Sequence, residues 1–133
     1  MTQKEIHLLL QDLSSRLRYG VQLYVPDYLV PYKLLGIDGD VLHIDTPVYD
    51  EGDGFFELDC FDIKPYLRPL SSMTEEEKEE YKDLLYCVKY AVDTVFAVNM
   101  LTDWFNAHHF DYRGLIEKGL AIEAPEGMYK SEE

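Results

Sequence analysis

The sequence predicts an α+β domain: an N-terminal helix, a small antiparallel β meander or SH3-like barrel, and a C-terminal helical half. Three observations predict it. Apolar residues recur at helical spacing over the first twenty positions. Short β-branched and aromatic runs, divided by Gly, Pro and Asp, fill residues 21–63. From residue 74 helical spacing returns behind a second helix-start signal. Residues 1–64 are read as helix plus β unit, 65–73 as a Pro-rich hinge, 74–125 as the helical half and 126–133 as a tail, frayed over 130–133, together one domain of 133 residues. At this length folding buries roughly two thirds of the unfolded chain's surface, enough for a core without disulfides or a metal staple.

The first helix has both ends marked. Thr2 followed by Glu5 is a capping box, and Gly20 supplies a C-terminal stop. Ile6, Leu9, Leu10, Leu13 and Leu17 form the apolar face, with Gln3, Lys4, Gln11, Asp12, Ser15 and Arg18 mostly opposite. Strands are expected over 21–25, 32–37, 41–45 and 55–61. Asp38-Gly39 is the clearest hairpin signal, read as a type I′ turn. Pro65 and Pro69 remove amide donors, so the hinge is expected to continue neither kind of element.

Thr74 and Glu77 repeat the capping pair, and Glu75, Glu76 and Glu77 face the positive end of the helix dipole. Leu84, Leu85, Val88, Ala91, Val92, Val95 and Phe96 are expected to face a core. An unbroken helix over 74–105 would be roughly 45 Å long, longer than the roughly 36 Å width of a compact chain this size. A break between Val88 and Asn99 is therefore expected, then a bend after His109 and a short helix over 112–120.

Charge narrows the function classes. Lys and Arg number 12 against 26 Asp and Glu, a net charge of −14. Binding to nucleic-acid phosphates or an anionic membrane runs on Lys and Arg, so neither is expected. Nine acids (Asp38, Asp40, Asp45, Asp50, Glu51, Asp53, Glu57, Asp59, Asp62) and no Lys or Arg lie between Asp38 and Asp62. Acid-out strands and Asp-rich turns account for such a face. Alternatively it docks a basic partner, as an acidic nucleic-acid mimic does. Asp50-Glu51-Gly52-Asp53-Gly54 offers oxygen ligands but lacks the spacing and closing Glu of an EF-hand.

The second constellation runs from Asp103 to Gly114, with Trp104, His108, His109, Asp111 and Arg113. Two histidines and two aspartates could serve a small metal-dependent hydrolase. On a helix, however, adjacent His108 and His109 point about 100° apart and share no face. Packing of Trp104, Phe105 and Phe110, a histidine on a helix C-terminus, and Asp111 with Arg113 pinning the bend is the simpler reading. No GxSxG, Cys-His pair, Gly-rich phosphate loop or Rossmann fingerprint occurs, so no catalytic residue, metal or cofactor is assigned. Cys60 and Cys87 read as reduced, mostly buried thiols. Eleven tyrosines exceed what such a core readily satisfies and point to a protein-binding or self-associating surface. No signal-peptide pattern or membrane span is visible, so a cytoplasmic location is expected.

Lys64-Pro65-Tyr66-Leu67-Arg68-Pro69-Leu70-Ser71-Ser72-Met73-Thr74-Glu75-Glu76-Glu77, the run from Asp103 to Ile116, and Gly119-Leu120-Ala121-Ile122-Glu123-Ala124-Pro125-Glu126-Gly127-Met128-Tyr129 carry a resemblance. With these motifs the chain resembles a family of small acidic proteins of Bacteroides-type gut bacteria, often associated with phages and mobile elements. The likeness covers nearly the whole chain, departs most over Gln22 to Asp59, and meets a variable point at Glu117-Lys118. It implies a bacterial, intracellular, phage-related setting and transfers no catalytic residue. The expected function is that of a non-enzymatic accessory or regulatory protein. It would bind a protein partner through the acidic β half (Asp50, Asp53, Asp59) or the surface around Trp104, His108, His109, Asp111 and Arg113.

Overall fold

The computed structural model describes residues 1–26, 30–45, 54–58 and 62–129. It is an α+β fold: helix α1 (Gln3–Arg16), strands β1 (Gln22–Tyr24), β2 (Tyr32–Asp38), β3 (Val41–Ile44), β4 (Gly54–Glu57) and β5 (Lys64–Leu67), helices α2 (Glu75–Tyr90) and α3 (Thr94–Ala107), and a short strand β6 (Ile122–Glu123). The sheet order is β4-β3-β2-β1-β5-β6. β1 to β4 form the expected antiparallel meander. β5 joins antiparallel beside β1, and β6 pairs parallel with β5. Among the described residues no ladder joins β4 to β6, so the sheet is open.

The capping box at Thr2 and Glu5 is present, and Gly20 stops the chain in the left-handed region at φ 72°. A single 3-10 turn, Leu17–Tyr19, lies between them. Ile6, Leu9 and Leu13 of α1 pack on the sheet face formed by Leu23, Tyr32, Leu34, Leu42, Ile44 and Leu67, and Leu115, Leu120 and Ala121 close the same core. Each fully buried leucine here contributes about 1.5–3 kcal/mol.

Several expectations require correction. The β2–β3 turn holds Gly39 and Asp40, because Asp38 already pairs with Val41. Only Gly39 has positive φ, 64°, so the turn is of II′ kind and not I′. Leu35 is an extra residue, a bulge between the Leu34–Ile44 and Gly36–His43 pairs. Residues 64–67 form strand β5 despite Pro65: β6 runs beside only Tyr66 and Leu67, so at Pro65 the strand has a neighbour on one side alone. Residues 112–120 make turns and not a helix, with Gly114 and Gly119 at φ 73° and 75°. Packed structure continues through 126–129, because the Tyr129 side chain is tied into the sheet.

In the helical half the break falls at Ala91–Asp93, where Asp93 caps α3 by accepting from Phe96 N at 3.0 Å. The expected core there is not formed. Leu85, Val92, Val95 and Phe96 are exposed, Val92 completely and Val95 by 71%. α2 and α3 pack on each other, and among the described residues the start of α2 (Glu77) and the end of α3 (Trp104, Phe105, Asn106) are bonded or stacked to the rest of the chain. Apolar spacing records that a face seeks cover; it does not record that this chain supplies it. Cys87 is also exposed, not buried, and Cys60 lies outside the described residues.

Candidate functional site

Two polar hubs tie the elements together, one at the base of the helical hairpin and one on α1. The first is Glu77, third residue of α2. Its Oε1 accepts from Thr74 N at 2.9 Å, closing the capping box, and from Arg68 Nη2 at 2.7 Å. Its Oε2 accepts from Arg68 Nη1 at 2.8 Å and lies 3.0 Å from His108 Nδ1. Arg68 follows β5 and His108 caps α3, so one carboxylate ties the start of α2, the end of α3 and the exit from the sheet. The Arg68 hydrogen bonds hold the Glu77 carboxyl down at about 2, against the opposing effect of burial. The same guanidinium lies 4.3 Å over the Phe110 ring.

The second hub is Asp12, expected on the polar face of α1 but fully buried. It accepts from Arg16 Nε at 2.9 Å and from Arg113 Nη1 at 2.7 Å. Arg16 Nη2 donates to the Phe110 carbonyl at 2.6 Å, and Arg113 Nη1 also donates to Ser15 Oγ at 3.1 Å. Both guanidinium groups lie over the Tyr112 ring, at 5.3 and 4.6 Å. Asp12 and Arg16 stand one turn apart beside Leu9 and Leu13, which is the sequence signal for a buried pair. Arg113, a hundred residues on, carries no such signal.

The two histidines diverge. α3 ends in a Schellman motif, with Phe110 N donating to Phe105 O and His109 N to Asn106 O. His109 occupies the left-handed position usually given to glycine, at φ 62°. Its ring stacks on Tyr129, centroids 3.6 Å apart, while His108 turns to Glu77 and Trp104. Burial, reinforced by Arg16 and Arg68, holds His109 down at about 4, so it is neutral at physiological pH. Among the described residues, Arg16 Nη1 and His109 Nδ1 are buried without a hydrogen-bond partner.

Tyr129 completes the joint. Its hydroxyl accepts from Gln22 N at 2.8 Å and donates to Tyr66 O at 2.8 Å. Gln22 and Tyr66 are the pair at which the β1–β5 register would next continue. The phenol thus bridges the point where the ladder opens, and its burial raises its pKa.

The described residues among those singled out from sequence make contacts within the fold. Trp104 stacks on Tyr81 and Phe110. Asp111 accepts from Leu115 N and Ile116 N at 2.8 and 2.9 Å, so it caps the following turn, while Arg113 belongs to the Asp12 hub; the two do not pair with each other. Among the described residues no group of three or more His, Cys, Asp or Glu side chains is arranged to hold a metal ion. Asp50, Asp53 and Asp59 lie outside the described residues. A cleft of about 240 Å³ beside Met1, Glu5, Asp62, Lys64 and Lys118 mixes both charge signs without a convergent polar set.

Two surfaces remain. Asp38, Val41 and Glu57 stand in register on β2, β3 and β4, with Asp40 at the adjoining turn, so exposed acids line one end of the sheet, about 10 Å across. The other surface is the outer half of the α2–α3 hairpin. Leu85, Tyr86, Tyr90, Val92, Val95, Phe96, Val98 and Met100 are each 41% to 107% exposed there. No protein family, curated protein or solved structure matches this chain. Its function is read from these surfaces. No helix among the described residues is long and apolar enough to cross a membrane.

Proposed function

We propose that the protein is a non-enzymatic accessory protein that acts by binding another macromolecule, in a bacterial, phage-related, cytoplasmic setting as its motifs imply. One observation carries the reading: the α2–α3 hairpin, anchored at one end by Glu77 and by the stacking of Trp104 on Phe110 and Phe105 on Tyr112, presents large apolar and tyrosine side chains to solvent at the other. Exposed apolar surface on this scale marks a contact site, and exposed tyrosine is enriched at interfaces. Chemical cross-linking in producing cells tests it. Lys82 and Lys89 flank the patch and should give cross-links to another chain. Intermolecular cross-links confined to Lys4, Lys33 or Lys118, or none at all, would overturn the reading.

A second reading is favoured by the acidic row at Asp38, Asp40 and Glu57. It is a docking edge for a basic partner, whose association would be steered by charge and slowed by salt. Binding of a basic protein that is insensitive to Asp38→Asn, Asp40→Asn and Glu57→Gln together would remove it.

A further inference from the structure

We infer that the exposed hairpin surface is covered by the same surface of a second copy of this chain. The inference rests on the contact-surface reading above and names its occupant. Three observations support it.

The first is area. At typical side-chain areas the eight exposed residues together offer at most about 900 Å² to a contact, on the scale of the roughly 800 Å² that each partner contributes to a standard-size stable interface. The second is the pattern of α3. Between Thr94 and Leu101 it carries no charged residue, and Val95, Phe96, Val98 and Met100 step around the axis instead of keeping to one stripe. A helix apolar around its circumference is one buried on several sides. α2 covers one side only, and a second hairpin covers another, as in bundles of paired helices.

The third observation is charge. Residues 82–101 contain Lys82, Asp83, Lys89 and Asp93, two of each sign and no net charge, so the whole −14 lies elsewhere. A strongly acidic chain meets itself at least cost where it is neutral. None of these four makes an ion pair within the chain among the described residues. Across a two-fold axis the same patch faces itself, so both signs are present on each side of the contact. A basic partner would instead be drawn to the acidic end of the sheet.

Sedimentation equilibrium of the full chain tests this. The wild type should approach twice the 15.5 kDa chain mass as concentration rises from micromolar to hundreds of micromolar. Val95→Glu and Phe96→Glu, at positions already exposed, should weaken dimerisation at least about 30-fold, the scale of an interface hot spot, with unchanged circular dichroism. Phe55→Glu, on the sheet and 67% exposed, should leave it unaltered. A wild type that stays at the chain mass throughout, or a Phe96→Glu variant that dimerises as well as the wild type, overturns the inference. A monomeric wild type whose Lys82 and Lys89 cross-link to a different chain in cells refutes the second copy and keeps the contact surface; a monomer with no such cross-links refutes both.

Discussion

Arg68 holds Glu77 with two parallel hydrogen bonds, Nη1 to Oε2 at 2.8 Å and Nη2 to Oε1 at 2.7 Å. The fork geometry is the strongest form of this ion pair, and the Glu77 side chain is only 11% exposed. The carboxyl titrates at about 2 in the fold against an ordinary 4.5. Its contribution is therefore complete above pH 4.5 and disappears as pH falls toward 2. The wild type should lose on the order of 3 kcal/mol across that window from this group. Glu77→Gln should be less stable by a similar amount at neutral pH and should not show that loss. Urea unfolding at a series of pH values checks it; parallel profiles for the two proteins would contradict it.

His109 produces a separate acid transition. Its folded value, about 4, lies below the ordinary 6.5, so the neutral ring stabilises the fold fully above pH 6.5 and this stability is lost as pH falls to 4. Arg16, Arg68 and His108 all face it and disfavour the proton. His109→Phe keeps a ring against Tyr129 and removes the titration. Thermal melts should show the wild type losing roughly 3 kcal/mol more than the variant between those limits.

Asp12 is one carboxylate shared by two guanidinium groups, those of Arg16 and Arg113. Asp12→Ala should cost about 3–5 kcal/mol, because it leaves buried Arg16 unpaired. Replacing the pair together, Asp12→Leu with Arg16→Met, should be more stable than Asp12→Ala by more than about 1 kcal/mol, since no buried charge remains on α1. Equilibrium urea unfolding of the three proteins decides it.

Tyr129→Phe removes the hydroxyl between Gln22 and Tyr66 and should cost about 1–2 kcal/mol. Hydrogen exchange gives a local readout: the Gln22 amide should exchange about tenfold or more faster, while Leu34 N, which donates to Val21 O at 3.0 Å on the other side of β1, should change less.

What was legible in the sequence was local. Thr2 with Glu5, Thr74 with Glu77 and Gly20 depend on residues a few positions apart, and each is where spacing puts it, while the break before Asn99 follows from the length of an unbroken helix against the width of a compact chain. The misread features depend on partners distant in the chain. Pro65 sits in a strand because β6, contributed by residues 122 and 123, is too short to face it. Asp12 is buried because Arg113 arrives from a hundred residues away. His109 looked like a possible ligand and is a helix-ending residue stacked on Tyr129. Phe96 and Val95 looked like core because apolar periodicity carries no information about which chain covers it.

Oxidative footprinting inside producing cells, read at Phe96 and Phe55, tests the contact-surface claim most directly. The two phenylalanines are 63% and 67% exposed on the isolated chain, so they form a matched pair. Coverage of the hairpin should make Phe96 react several-fold more slowly than Phe55. Equal rates at Phe96 and Phe55 would contradict it.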